Sequence, residues 1–153
     1  MSPEPLSTPE RAEMERIWNA NPVLQMMGAR VDLSDSACLR ASIDPIQDHH
    51  RGGLGSEAVN GVVLSALCDM LIGLTGILYS RKHRTGTVQL NISFLRPLRG
   101  SLLRAEARPT KIGRALVFSH ADILDENGEV CVSCEGIASV DTSKPPVENY
   151  MAI

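Results

Sequence analysis

One stretch of this chain limits its folds more than any other. From residue 58 to residue 80 the sequence is almost wholly apolar, and Asp69 is its one charged residue. The pattern predicts a single long helix, capped at Ser56 and roughly 35 Å long. A helix that is hydrophobic on every side has to be buried on every side. A sheet wrapped around it would do that. The run is also long enough to span a bilayer. Against that, a central Asp costs roughly 2.5–3.5 kcal/mol on insertion, and Gly73 and Gly76 interrupt the second half. The expectation is the core helix of a water-soluble domain.

The flanking sequence supplies the sheet. Thr8 or Ser7 can cap a short helix over residues 9–19, with Pro9 in its first turn and Asn21-Pro22 closing it. Residues 29–33 and 37–43 read as a strand pair turned by Ser34-Asp35-Ser36, and Asp44-Pro45 ends the second strand. A polar loop with His49, His50 and several glycines leads into the long helix. After the basic turn at 81–84, Val88, Leu90, Ile92 and Phe94 alternate with polar residues, the signature of a half-buried strand. Strands over 101–110, 115–124 and 129–140 follow. Their turns are Lys111-Ile112-Gly113 and Asp125-Glu126-Asn127-Gly128, the latter a strong hairpin signal. Helix, two strands, long helix and four strands make an α+β domain with one segregated helix. A single domain over 1–153 is expected, with 1–8 and 141–153 as flexible ends.

Composition narrows the function classes. The net charge is −3 and aromatics are 3% of the 153 residues. A nucleic-acid binder needs clustered cations or stacking platforms, so no nucleic-acid partner is expected. The first ten residues lack the basic-then-apolar order of a signal peptide. Cys38, Cys68, Cys131 and Cys134 are read as four reduced, mostly buried thiols, which suits a cytoplasmic protein. Cys131 and Cys134 form a C-x-x-C on a strand, where a three-residue spacing puts side chains on opposite faces. No metal site is expected there.

The segment Asn60-Gly61-Val62-Val63-Leu64-Ser65-Ala66-Leu67-Cys68-Asp69 resembles the helix opening of hotdog-fold thioesterases of the phenylacetic-acid-degradation type. Those carry His-Gly-Gly, then small and apolar residues, then an Asp nine positions after the His. Asp69 lies nine after Asn60. Val88-Gln89-Leu90-Asn91-Ile92-Ser93-Phe94-Leu95-Arg96-Pro97, the Asp125–Gly128 turn and Asn21-Pro22 are similar too, so the resemblance runs from about residue 19 to 140. Asn60 replaces the family's His, Val62 replaces its second Gly, and the loop Asn expected before that His is absent. The resemblance implies a hotdog fold: an antiparallel sheet around one central helix. It also implies an acyl-CoA thioesterase without a cofactor beyond the coenzyme A of its substrate. The family pairs subunits into a homodimer or a dimer of dimers, with the acid of one chain facing the helix start of the other.

Within that frame Asp69 is the candidate base. Burial in an apolar helix would raise its pKa toward neutrality. In the family this acid activates water for attack on the thioester carbonyl, or attacks it directly. Otherwise it bonds a neighbouring loop or a dimer mate. Gly61 sits in the first helical turn, whose N–H groups lack helical partners and can hold an oxyanion; otherwise it serves helix–sheet packing. Thr87 matches a family position that orients the water, or is an exposed strand residue. Asn60 either bonds the thioester or caps the helix. His49 and His50 are candidate substrate contacts or a solvated loop pair. Arg96, Arg99, Lys111 and Arg114 sit at strand ends where the family meets coenzyme A phosphates, and each is otherwise a surface cation. His83, His120 and Ser65 read as bland. No Ser-His-Asp or Cys-His set stands at recognisable spacing. Two other classes remain: a non-catalytic acyl-CoA binding module, and a hotdog dehydratase, which needs a His beside its acid.

Overall fold

The computed structural model describes residues 5–52, 57–80 and 82–147. The chain opens with α1 (Thr8–Asn19) and α2 (Pro22–Met27). Then come β1 (Ala29–Asp32) and β2 (Leu39–Ile43), a 3₁₀ turn at Asp48–His50, and the long helix α3 (Gly61–Leu78). Four strands complete it: β3 (Arg84–Phe94), β4 (Leu103–Ile112), β5 (Leu116–Asp125) and β6 (Val130–Asp141). They form one antiparallel sheet in the order β1-β2-β4-β5-β6-β3. The sheet packs its inner face on α3, as a hotdog fold does.

Alternation drives this packing. Along β5, Val117, Ser119, Ala121 and Ile123 are buried, and the residues between them are not. Ala121 and Ile123 join Leu64, Leu67, Cys68, Leu71, Ile72, Leu74 and Leu78 of α3 in a single core. All four cysteines are buried and free, and Cys68 of α3 and Cys134 of β6 lie in the same core. The Asp125–Gly128 hairpin closes with the Gly128 N–H donating to the Asp125 carbonyl at 3.0 Å. Gly128 has φ +81°, which only Gly adopts cheaply.

Several elements differ from the sequence reading. Asn21-Pro22 does not only end α1; it starts α2. The Asn21 side chain accepts from the Val23 N–H, and Gly28 closes the helix at φ +65°. The long helix starts at Gly61, capped by Asn60, so it is about 27 Å long rather than 35 Å. The expected cap, Ser56, lies outside the described residues. Lys111 and Ile112 belong to β4, so the β4–β5 turn is Gly113–Ala115. The ends are tied where they are described. Leu6 is buried and its N–H donates to the Leu78 carbonyl at 3.0 Å, and the Val147 N–H donates to Lys82 at 2.8 Å.

The two sheet edges are treated differently. At β1, α1 supplies side chains to the free backbone. Asn19 accepts from the Val31 N–H at 2.8 Å and donates back to its carbonyl at 3.0 Å. Glu15 accepts from the Leu33 N–H at 2.8 Å, and Arg11 donates to the Leu33 carbonyl at 2.8 Å. That edge is covered. The other edge, β3, has β6 on one side and, among the described residues, no strand on the other. Val88 and Phe94 on it, and Leu95 just past its end, are exposed. An uncovered apolar edge is a pairing surface.

The expectation that α3 is buried all round is also corrected. Val62, Ala66 and Asp69 are exposed, and Met70, Gly73 and Ile77 are half-buried. Apart from the adjacent Asp69 and Met70, these positions follow one another at three to four residues, so they form one open stripe. Val62 alone is 76% exposed.

Candidate active site

Helix α3 and edge strand β3 run antiparallel and in step. A side chain on Gly61 would lie 3.6 Å from the Phe94 ring, one on Gly73 3.3 Å from the Thr87 hydroxyl, and one on Gly76 3.7 Å from Thr85. The glycines of the helix thus let the strand approach closely.

This step brings Asp69 and Thr87 together. The Thr87 hydroxyl lies 3.5 Å from the Asp69 carbonyl oxygen and donates toward it. Thr87 stands at a break in the β3–β6 register, between Thr87 and Gln89. Both residues line a cleft of about 570 Å³ between α3, β3 and the two N-terminal helices. Asp69 is exposed in the single chain, not buried as its apolar surroundings suggest. The neighbours that would desolvate it have to come from elsewhere.

Gly61 lies one residue after the cap. The Val62 N–H donates to the Asn60 side chain at 2.9 Å, and Val63 and Leu64 donate to the Asn60 carbonyl. Among the described residues nothing accepts from the Gly61 N–H. Asp69 lies eight positions after Gly61 in the helix, about 12 Å along the axis. One thioester carbonyl cannot sit within bonding reach of both in the same chain.

Asn60 caps α3 in the single chain. Its side-chain oxygen takes the Val62 N–H, its amide nitrogen donates to Gly52 at 3.4 Å, and its backbone N–H donates to the His50 carbonyl at 2.8 Å. His50 is neither a solvated loop residue nor open to a substrate. It is 2% exposed. Its Nδ1 accepts from the Gln47 N–H at 2.9 Å, and its Nε2 donates to the Met27 carbonyl at 2.7 Å. Burial pushes its pKa below the ordinary imidazole value, against the opposing pull of the Met27 bond. His50 therefore holds the loop to the end of α2. His49 is exposed and tilts against it with ring centroids 4.0 Å apart.

The expected phosphate-binding cations do not form one group. Arg96 pairs with Glu129 at 2.9 Å, and Arg96 and Arg99 lie at the Phe94 end of the sheet, near the start of α3. Lys111 and Arg114 lie at the opposite end, where Val140 binds Ala115 beside the last turn of α3. His120, read as bland, is clamped on the outer sheet face between Glu135 at 2.7 Å and Asp122 at 3.0 Å. These two carboxylates outweigh desolvation and raise its pKa.

The sequence reading passed over the residues that wall the cleft: Trp18 of α1, Leu24 and Met27 of α2, and Met70 of α3. Their signal was present in Asn21-Pro22 and Gly28, the start and stop marks of an extra helix.

Comparison with known proteins agrees with this fold. Residues 57–132 match the family model described as the thioesterase superfamily. A candidate esterase of Thermoplasma acidophilum is 26% identical over 80 residues, which is 52% of this chain. The chain spans 61% of the length of that relative. A thioesterase of Haemophilus influenzae superposes with TM-score 0.76 at 18% identity, covering 97% of each chain. The Escherichia coli PaaI protein, from the phenylacetic acid degradation operon, gives TM-score 0.74 at 15% identity, covering 88% of this chain and 96% of its own. With the helix start, Asp69 and β3 inside the matched segment, this chain resembles the thioesterase superfamily over residues 57–132 and has the hotdog fold of the thioesterase structures it superposes on.

Proposed function

We propose that this chain hydrolyses an acyl-CoA, or another acyl thioester, to free acid and thiol, as a homodimer of the PaaI-like type in the cytoplasm. The observation that carries this reading is the split site. An acid and a hydroxyl share a cleft at one end of β3, and at the other sits the Gly61 N–H, which has no acceptor among the described residues. Two copies paired antiparallel through β3 would bring the Phe94 end of one, with Gly61, beside the Thr87 end of the other, with Asp69. Support for the pairing comes from the uncovered β3 edge and the exposed Val62, Val88, Phe94 and Leu95, set against a β1 edge already covered. The same pairing would bring Arg96 and Arg99 of one subunit to the end that holds Lys111 and Arg114 of the other, around the coenzyme A phosphates.

The chemistry follows from those positions. Asp69 takes a proton from water that Thr87 orients, and the water oxygen attacks the thioester carbon. Negative charge builds on the carbonyl oxygen, where Gly61 N–H of the partner subunit donates to it. Such a donor contributes roughly 3–4 kcal/mol to lowering a barrier. The C–S bond then breaks, and the thiolate leaves with the proton that Asp69 acquired. Closing the dimer over Asp69 would shield it from the solvent that reaches it in the single chain. No cofactor is needed.

The test is thiol release from a panel of acyl-CoAs, with Asp69→Asn alongside. Release from some members and a loss of at least about a hundredfold in the variant is expected, the usual range for a general base. Full activity in Asp69→Asn would overturn the mechanism. Acyl-CoA binding without turnover is the second reading. It is favoured by Asn60, whose amide is used by the helix and the loop where the family has a His. Tight binding with no release from any member would establish it.

A further inference from the structure

The cleft beside Asp69 is larger than catalysis on a thioester carbonyl requires. It continues along α3 from Asp69 past Gly73 to Ile77, about 12 Å by helical rise. Its volume of about 570 Å³ lies within the range of small-molecule sites. Gly73 keeps it open. It stands one turn beyond Asp69 on the same stripe and one turn before Ile77, and a glycine inside a helix costs about 1 kcal/mol. A side chain at 73 would project between Asp69 and Ile77, against Thr87.

The walls fix the chemistry of an occupant. Trp18, Leu24, Met27, Met70 and Ile77 line it, and all but the buried Leu24 are half-buried with apolar surface still open. Among the described residues, Asp69 is the one charged group lining the cleft. An acyl group ending in a carboxylate would find no cation there, only a second negative charge. α1 and α2 supply three of the five walls, so the pocket exists because the chain has a helical N-terminal layer over the open stripe of α3.

We propose that this cleft is the acyl pocket, and that it selects straight apolar acyl chains of medium length over short and dicarboxylic ones. The thioester carbonyl lies at Asp69 and Thr87, and the chain runs past Gly73 to Ile77 under Trp18 and Met27. This rests on the thioesterase reading for what delivers the acyl group, but not for the fit of the chain itself.

Trp18 is the chain's one tryptophan, which gives a direct readout. Straight-chain amides from butyramide to decanamide keep the carbonyl, carry no charge and are not thioesters. Titrated into the wild-type protein, they should shift Trp18 emission to the blue and saturate. Affinity should rise about fourfold for each added methylene until the pocket is full. No shift, or affinity independent of length, would overturn the pocket. Ile77→Phe shortens the cleft. It should lower kcat/KM for decanoyl-CoA relative to butyryl-CoA by about tenfold or more, and an unchanged ratio would also overturn it. Succinyl-CoA should be a poor substrate for the wild type. If amides bind with the expected length dependence but no thioester is cleaved, the hydrolase reading falls and the pocket stands. If thioesters are cleaved without length preference and the amides leave Trp18 unchanged, the pocket falls and the hydrolase stands.

Discussion

His50 and Asn60 carry the join between the loop and the helix, and both make predictions. His50 is buried and its folded pKa is depressed, so it folds neutral. The unfolded chain binds a proton there more readily. Its contribution to stability is complete above the unfolded value of about 6.5 and is lost as pH falls through that value toward the folded one. His120 has the opposite sign. Its pKa is raised by Glu135 and Asp122, so it stabilises at low pH and ceases to as pH rises. It is about one-third exposed, so solvent weakens its share. Thermal melts between pH 5 and pH 7.5 should show Tm falling on the acid side. His120→Gln should deepen that fall by removing the opposing term. Tm that rises toward pH 5 in His120→Gln would refute the assignment of His50. Asn60 tests differently. As a cap, Asn60→Ala should cost about 1 kcal/mol in urea unfolding, with kcat nearly unchanged in the folded variant. A large fall in kcat at unchanged stability would return Asn60 to the substrate.

At the scale of elements, the helix–sheet seam is tight enough to be tested by one methyl group. A side chain on Gly136 of β6 would lie 2.7 Å from two atoms of Ile72 and 3.1 Å from a third. These are core atoms with no room to move. Gly136→Ala should therefore destabilise the fold by about 1–3 kcal/mol, the usual cost of overpacking. Ile72→Val in the same chain should recover part of it, because it removes one of the three crowding atoms. Destabilisation with no recovery would place the strain in the strand backbone. The seam also shows what could be read from sequence. The apolar run around Asp69 and the alternation of β3 marked the α+β class, although β3 proved to be an edge strand with Val88 and Phe94 exposed. The hairpin turn was legible because Gly128 needs positive φ. α2 was missed because one short signal, Asn21-Pro22, marks an end and a beginning equally well. His50 was misread because a polar residue in a polar loop gives no sign that backbone groups from distant segments converge on it.

At the scale of the molecule, the exposure of Asp69 was hidden for a further reason. Sequence periodicity reports how apolar a face is, not which surface covers it. The open stripe of α3 is apolar because something must lie on it, and in the proposed dimer part of that cover is a second copy. This has a consequence that a one-chain site does not share. Asp69→Asn and Gly61→Val should each be inactive alone. Mixed in equal amounts and allowed to exchange subunits, half of the dimers are mixed. In each mixed dimer one site has both defects and the other has neither. The mixture should therefore recover about a quarter of the wild-type activity per subunit. If Asp69 and Gly61 of the same chain formed each site, every site in the mixture would carry one defect and no activity would return. The assay needs both variants to pair, which sedimentation at the assay concentration checks. Phe94→Asp, at the β3 edge where Gly61 packs, should block both pairing and the recovery.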